Sequence, residues 1–491
     1  MKQDSIRIAA DSQAKFNNNT AFCIGTGRMG LALQQEYQQQ LAMAQAECAF
    51  THIRGHGLFS DDMAIYQPYQ DVEGNWHEGY NFTYLDRVMD DYRAQGLKPF
   101  LELGFMPEKM ASGTQTIFYW KGNVTPPQDD AKWTAMVQAT LAHLAERYGK
   151  DEVSTWPCEV WNEPNLSGFW ENADEEKYHH LYAVTAKAVK EVLPDMRVGG
   201  PAICGGATSQ DWVRNFLQFC KDNQLSLDFV SRHAYMGETP EHRGRYLYHT
   251  MRTVDSLLAE MQETRDIIDS FPEYRRMEMH ITEFNTSYNP FCPIHDTNLN
   301  AAYMAGVLAR MGDVAASYSY WTLGSNMEWP SCGEIDIMEY YQIKGIPHIL
   351  ANAAWGTDRQ WHAKWDSQAT PYSHFTDKDP DWASKFHIWR MDWDEEAIKL
   401  YLDDELLNEI PLSSTRNGSI GKGTNPFTKP QYLLLNLAIG GINGGPIDEA
   451  ALPMKYEIDY VRVYQKEKGI ASGKVWRDTD GNVINAHGGG I

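Results

Sequence analysis

No uninterrupted apolar run of about 18 residues occurs anywhere in this chain of 491 residues, so nothing in it reads as a membrane-spanning helix. Basic residues are scarce, with 43 Lys and Arg against 66 Asp and Glu and a formal net charge of −23. That balance repels nucleic acid and anionic membrane surfaces, and excludes both as partners. Cysteine is sparse too. Cys23, Cys48, Cys158, Cys204, Cys220, Cys292 and Cys332 show no CxxC spacing; they fit reduced thiols better than a disulfide framework or a zinc site. The opening Met1-Lys2-Gln3-Asp4-Ser5-Ile6-Arg7 lacks the apolar stretch of a secretory signal. The chain therefore reads as cytoplasmic, although a secreted chain trimmed of its signal would read the same. No cofactor or metal is implied. Gly25-Thr26-Gly27-Arg28 lacks the third glycine and the later acid of a dinucleotide fingerprint, and Asp61-Asp62 reads as solvated surface.

What is present is a length that suggests two domains, one large enough for a barrel. Aromatic residues are abundant, which suits the stacking of sugar rings but also the filling of large cores. After a polar start, strand and helix patterns alternate. Strands are expected at 21–25, 51–55, 98–104, 157–163, 197–201, 227–233, 277–283 and 316–322. Helices are expected at about 31–48, 82–96, 130–149, 174–193, 209–224, 248–269 and 298–312. Eight strands and seven helices predict an α/β fold, a (β/α)8 TIM barrel lacking its own eighth helix. The expected organisation is a barrel over 1–322, a smaller all-β partial jelly-roll sandwich over 323–468, and a flexible tail over 469–491.

The stretch 156–165 carries the chemistry. Trp156-Pro157-Cys158-Glu159-Val160-Trp161 reads as a short strand running into Asn162-Glu163-Pro164-Asn165. Pro164 cannot donate to a ladder and disfavours helix before it, so Glu163 is left at the strand's C-terminal end. A lone Glu before Pro is commonly a solvated turn residue. Here a second acid, Glu283 in Met279-His280-Ile281-Thr282-Glu283-Phe284-Asn285, also ends a strand. Two carboxylates facing one cleft are the minimum equipment for glycoside hydrolysis. Other strand ends carry polar groups that a core would not need: Arg54-Gly55-His56, Glu102-Leu103-Gly104, Arg232-His233-Ala234-Tyr235 and Tyr320-Trp321-Thr322.

Trp161-Asn162-Glu163-Pro164-Asn165 together with Ile281-Thr282-Glu283-Phe284-Asn285 resembles glycoside hydrolase family 39, the β-xylosidase family, and the likeness runs from about Phe22 to about Thr322. The resemblance implies a retaining enzyme on a (β/α)8 barrel, with Glu163 as acid/base and Glu283 as nucleophile. It also implies that His56, Asn162, His233, Tyr235 and Trp321 bind the sugar. Asn162 would hold the 2-hydroxyl, Tyr235 would donate to Glu283, and Trp321 would form the platform. The expected activity is an exo-acting β-xylosidase releasing xylose from xylo-oligosaccharides. Alternatives within the same barrel are α-L-iduronidase or arabinose-releasing specificity.

Directly after Tyr320-Trp321-Thr322 the likeness breaks, because an acidic loop, an eighth helix and an accessory β-sandwich should follow. Instead Gly333-Glu334-Ile335-Asp336-Ile337-Met338-Glu339 resembles glycoside hydrolase family 16, the laminarinase-type β-glucanases. On a strand, residues 334 and 336 share a face, and a β-bulge would bring Glu339 back to it. Glu334, Asp336 and Glu339 are thus a candidate second site, with endo-β-1,3-glucanase activity as the alternative function. A catalytically inactive carbohydrate-binding fusion is the reading from another class. Further strands are expected at 385–393, 397–402, 431–439 and 456–464, similar to the latter half of that family's jelly roll. The first half is missing, so the half-sandwich is expected to cover the barrel flank left bare by the eighth helix. Pairing between copies into a homo-oligomer is open. Val475-Trp476-Arg477-Asp478-Thr479-Asp480-Gly481-Asn482 resembles the first strand of family 43, too short to fold as a propeller.

Overall fold

The computed structural model describes residues 17–464 except 119, 244–245, 323–328, 360–361, 420, 430, 432 and 441–443. The family 43-like stretch lies outside the described residues.

Eight parallel strands close into a ring. They are β1 (Cys23–Arg28), β2 (His52–His56), β3 (Lys98–Leu103), β4 (Cys158–Val160), β5 (Val198–Ile203), β6 (Phe229–Tyr235), β7 (Glu278–Asn285) and β8 (Ser317–Tyr320). Each pairs with the next in sequence, and Ile24 opposite Tyr320 closes the barrel. The connecting helices are α1 (Gln35–Cys48), α2 (Thr83–Ala94), α3 (Asp130–Tyr148), α4 (Glu175–Val192), α5 (Ser209–Asp222), α6 (Val254–Ser270) and α7 (Asn298–Leu308).

Local chemistry sets the helix starts. The side chains of Asp129, Asp174, Thr253 and Thr297 accept from backbone N–H groups in the first turns of α3, α4, α6 and α7. Each such cap contributes about 1 kcal/mol. Amphipathic spacing then sets the packing. On α5, Trp212, Val213, Phe216, Leu217 and Cys220 share the buried face, each larger side chain contributing roughly 2 kcal/mol by leaving water. The sixth helix starts later than its periodicity predicts. A hairpin, Gly237–Arg243 with Tyr246–Met251, precedes it, and the Thr253 cap makes Val254 the first helical residue.

No eighth helix follows β8 among the described residues. Ile24 and Tyr318 are buried in one apolar cluster with Met304, Val307 and Met311, all from the barrel. The Tyr318 hydroxyl donates to the Leu308 carbonyl at 3.4 Å, which sets the end of α7 against β8.

Beyond the barrel, β9 (Glu334–Ile343), β10 (Ile346–Gly356) and β11 (Ala363–Pro371) form one antiparallel sheet. A second is built from β12 (Trp389–Trp393), β13 (Ala397–Leu402) and β14 (Glu405–Pro411). The two share a core of Ala351, Ala353, Trp355, Ile398, Leu400, Ile410, Leu412 and Phe427. The strands expected at 431–439 and 456–464 do not form. Their described residues carry no ladder, and Leu433, Leu435, Leu437, Ile458, Tyr460 and Val463 are exposed. A strand pattern becomes a strand only against a partner, and the facing strands of that jelly roll are absent from this chain. The chain divides into two compact units. One takes in Met1–Leu434 and Ile439–Ile447, the other Leu435–Ala438 and the residues from Asp448 onward.

Candidate active site

The C-terminal ends of the barrel strands gather one cluster of charge. Strand β4 ends just before Trp161, and both Trp161 (φ +70°) and Glu163 (φ +46°) adopt left-handed backbone conformations. For such side chains this costs free energy and is held only by surrounding structure; the Glu163 N–H donates to the Ala202 carbonyl at 3.0 Å. From β7, Glu283 reaches the same space, and one carboxylate oxygen of each acid lies within 4.8 Å of the other.

Fixed donors surround Glu283. Arg54 donates to its Oε1 at 3.0 Å and the Tyr235 hydroxyl to its Oε2 at 2.5 Å. His56 Nε2 lies 3.3 Å from Oε1. Arg54, fully buried, also donates to Glu159 at 2.6 Å and to Asn162 Oδ1 at 2.9 Å, and stands 2.8 Å from Glu102. Thr282 donates to the other oxygen of Glu159. Burial would discharge His56, but the Glu102 carboxylate at 2.7 Å and Glu283 outweigh it and hold its pKa above the ordinary value. For Tyr235, burial and then the Glu283 charge push the phenol well up, so it stays a donor.

Glu163 is the opposite case. Burial pushes its carboxyl from 4.5 up to about 7, with His56 and Arg54 only partly offsetting. Its partner His233, 2.7 Å away through Nδ1, is pushed down to about 4 by burial and is neutral at pH 7. A buried carboxyl that keeps its proton to about pH 7 is equipped to act as a general acid. His233 Nε2 and Asn162 Nδ2 are buried without a protein partner and are free for a substrate hydroxyl.

Trp321 stands beside His56, ring centroids 4.5 Å apart, with the Arg54 guanidinium 5.7 Å from its ring. Asn285 donates to its carbonyl at 2.6 Å. Its ring fits only because residue 25 is glycine: a Cβ there would meet Trp321 Cε3 at 2.4 Å. Gly25→Ala should therefore displace the ring and lower kcat/KM on any cleaved glycoside about tenfold or more, with a smaller change in Tm. Unchanged steady-state kinetics would disprove that role.

The sequence-derived residues Glu163, Glu283, His56, Asn162, His233, Tyr235 and Trp321 thus come together. Sequence reasoning missed Arg54, Glu102 and Glu159 as members. Their signal was charge inside strands that a parallel barrel buries on both faces. Oxygen and nitrogen atoms of Glu163, His233 and Glu283 are close enough to hold an ion. The Arg54 guanidinium on Glu283 and a carboxyl at Glu163 that keeps its proton to about pH 7 disfavour a cation there.

The second acidic group also assembles. The β9–β10 register slips between Asp336 and Glu339, three residues opposite two, the bulge that spacing required. Asn352 donates to Glu339 at 2.9 Å. Burial, then Glu334 and Glu339, push Asp336 up to about 8. Ile335 and Ile337, alternating with the acids, pack on the sandwich core.

A family model, glycosyl hydrolases family 39, matches residues 5–342. The chain belongs to family 39. Over 327 residues it is 48% identical to a beta-xylosidase of Geobacillus stearothermophilus, covering 66% of this chain and 64% of that one. The chain therefore spans a little less than two thirds of that relative. Among solved structures, a monomeric beta-xylosidase from Caulobacter crescentus CB15 superposes with a TM-score of 0.58 at 29% identity, covering 76% of this chain and 78% of that one. A second model, glycosyl hydrolases family 16, matches residues 312–462. Over 145 residues the chain is 31% identical to a beta-glucanase of Rhodothermus marinus, covering 28% of this chain and 46% of that one. The two family models overlap at 312–342, so the family 39 match runs on past Thr322, where the sequence reading ends it. No helix among the described residues is long and apolar enough to cross a membrane.

Proposed function

We propose that this family 39 barrel is a retaining glycosidase, an exo-acting β-xylosidase that releases xylose from xylo-oligosaccharides. The observation that carries this is the separation of the two acids. One oxygen of each carboxyl within 4.8 Å of the other supports the roughly 5–5.5 Å spacing of a retaining pair over the roughly 6.5–9.5 Å of an inverting one. In the first step Glu283, oriented by Arg54 and Tyr235, attacks C1 while Glu163 gives its proton to the departing oxygen. In the second, the Glu163 carboxylate takes a proton from water, the hydroxide oxygen bonds C1, and Glu283 leaves. Asn162 is the donor for the 2-hydroxyl, a bond that strengthens in the transition state. His56 and His233 address the remaining hydroxyls, and Trp321 supports the ring. The pentose assignment is supported by the family 39 relatives whose names are beta-xylosidase.

A second reading, laminarinase-type activity at Glu334, Asp336 and Glu339, is favoured by the raised Asp336 carboxyl between two acids. It lacks the facing strands that would wall a cleft, and we place the activity on the barrel. The test is hydrolysis of an aryl β-D-xyloside followed by NMR, with laminarin assayed in parallel. Xylose should appear first as the β-anomer, and laminarin should stay intact. First release of the α-anomer would overturn the retaining mechanism, and cleavage of laminarin alone would move the chemistry to the sandwich.

A further inference from the structure

The Tyr235 hydroxyl can hold Glu283 only if the end of β6 is itself held, because strand ends next to a hairpin are free to shift. The hairpin follows immediately, and Arg252 stands at its exit. The Arg252 guanidinium donates to the Tyr235 carbonyl at 2.9 Å, and the Arg252 N–H donates to the Met236 carbonyl at 3.1 Å. One residue thus grips the backbone of β6 at two successive carbonyls. Its guanidinium is in turn ion-paired to Glu260 of α6, a carboxylate that the fully buried Arg232 of β6 also binds. Burial would raise the Glu260 carboxyl, but the two guanidinium groups outweigh it and keep it anionic. On the other side, Met236 and Gly237 donate to the carbonyls of Asn285 and Thr286, tying the same segment to the end of β7. The chain Glu260–Arg252–Tyr235–Glu283 links α6 to the reacting carboxylate through hydrogen bonds alone.

We infer that Arg252 is a positioning residue of the active site, setting the height of Tyr235 and through it the aim of Glu283. The inference rests on the retaining-glycosidase reading of that site. Arg252 is not bonded to Glu163 or Glu283 itself; its shortest route to Glu283 runs through Tyr235, whose carbonyl it holds and whose hydroxyl donates to that carboxylate. A bidentate guanidinium, one arm on a carboxylate and the other on a carbonyl, is a geometry that lysine cannot reproduce.

The test is a double-mutant cycle on the full chain, read as kcat and KM on an aryl β-D-xyloside. Arg252→Met should lower kcat about tenfold with KM changed less than threefold, and Arg252→Lys should recover only part of that loss. In the Tyr235→Phe background, Arg252→Met should cost nothing further, because the hydroxyl it positions is already gone. Equal losses in both backgrounds would mean that Arg252 merely stabilises the fold, and would overturn the inference. So would wild-type kcat in Arg252→Met. If Arg252→Met does not fold, Arg252→Lys is run through the same cycle, where additivity with Tyr235→Phe is again the overturning result. A wild-type chain inactive on every xyloside would instead count against the glycosidase reading and is seen before any variant is made.

Discussion

Glu283→Ala should abolish turnover, lowering kcat on an aryl β-D-xyloside by about 10⁴-fold or more. The expectation follows from how tightly this carboxylate is built in: Arg54, Tyr235 and His56 all converge on it. Removing it leaves a guanidinium and a phenol aimed at an empty volume of carboxylate size, beside an imidazole whose pKa is raised. Such a volume attracts anions. Added azide should therefore enter from the face Glu283 occupied, displace the aryl group and yield the α-xylosyl azide. Formation of that product assigns Glu283 as nucleophile by stereochemistry, not by loss alone. Formation of the β-azide, or a variant retaining more than a tenth of wild-type kcat, would remove Glu283 from that role.

The second large effect belongs to Glu163. Its carboxyl is held at about 7 by burial, so wild-type kcat/KM should fall on the alkaline side through about pH 7 as the acid loses its proton. Glu163→Gln should erase that limb. On xylobiose, whose departing sugar needs a proton, the loss should be about 10²–10⁴-fold; on an aryl xyloside with an acidic phenol the first step should lose far less. The same group predicts a stability change of known sign. Unfolded, the carboxyl titrates near 4.5, and folded near 7, so the native state binds the extra proton between those values. Stability from this group is fully present below about pH 4.5 and is lost as pH rises through about 7, by roughly 3 kcal/mol. Glu163→Gln, which carries no charge to desolvate, should match wild type in Tm near pH 4.5 and exceed it at pH 8. A Tm difference independent of pH would show that folding leaves the Glu163 carboxyl at its ordinary pKa.

Much of the barrel was legible because each strand is bounded by chemistry that acts locally. Pro164 stops a ladder, Thr253 starts a helix, and the apolar face of α5 repeats at helical spacing. Glu163 was legible for the same reason, since Pro164 ends its strand, whereas Glu283, read as a strand end, lies within β7, two residues before its last residue. Arg54 and Glu102 were noticed only as polar strand ends without a role, and Glu159 not at all, because their role depends on one guanidinium meeting three carboxylates from different strands. That is a tertiary fact with no local periodicity. The sandwich shows the converse failure. The alternation at 431–439 and 456–464 is real, but β structure is a property of pairs, and a pattern without its partner exposes its leucines to water. The Glu334–Asp336–Glu339 bulge was legible because both of its strands are present in one hairpin.

The closure of the ring has a further meaning. Strand β8 is joined to β1 by the Ile24–Tyr320 pairing and to β7 by its ladder, and Thr322 donates to the Gly25 carbonyl at 2.8 Å. The last hydrogen bond that closes the ring thus lies within two residues of its final strand. The ring that gathers Glu163 and Glu283 is therefore sealed to itself before the chain enters the β9–β11 sheet.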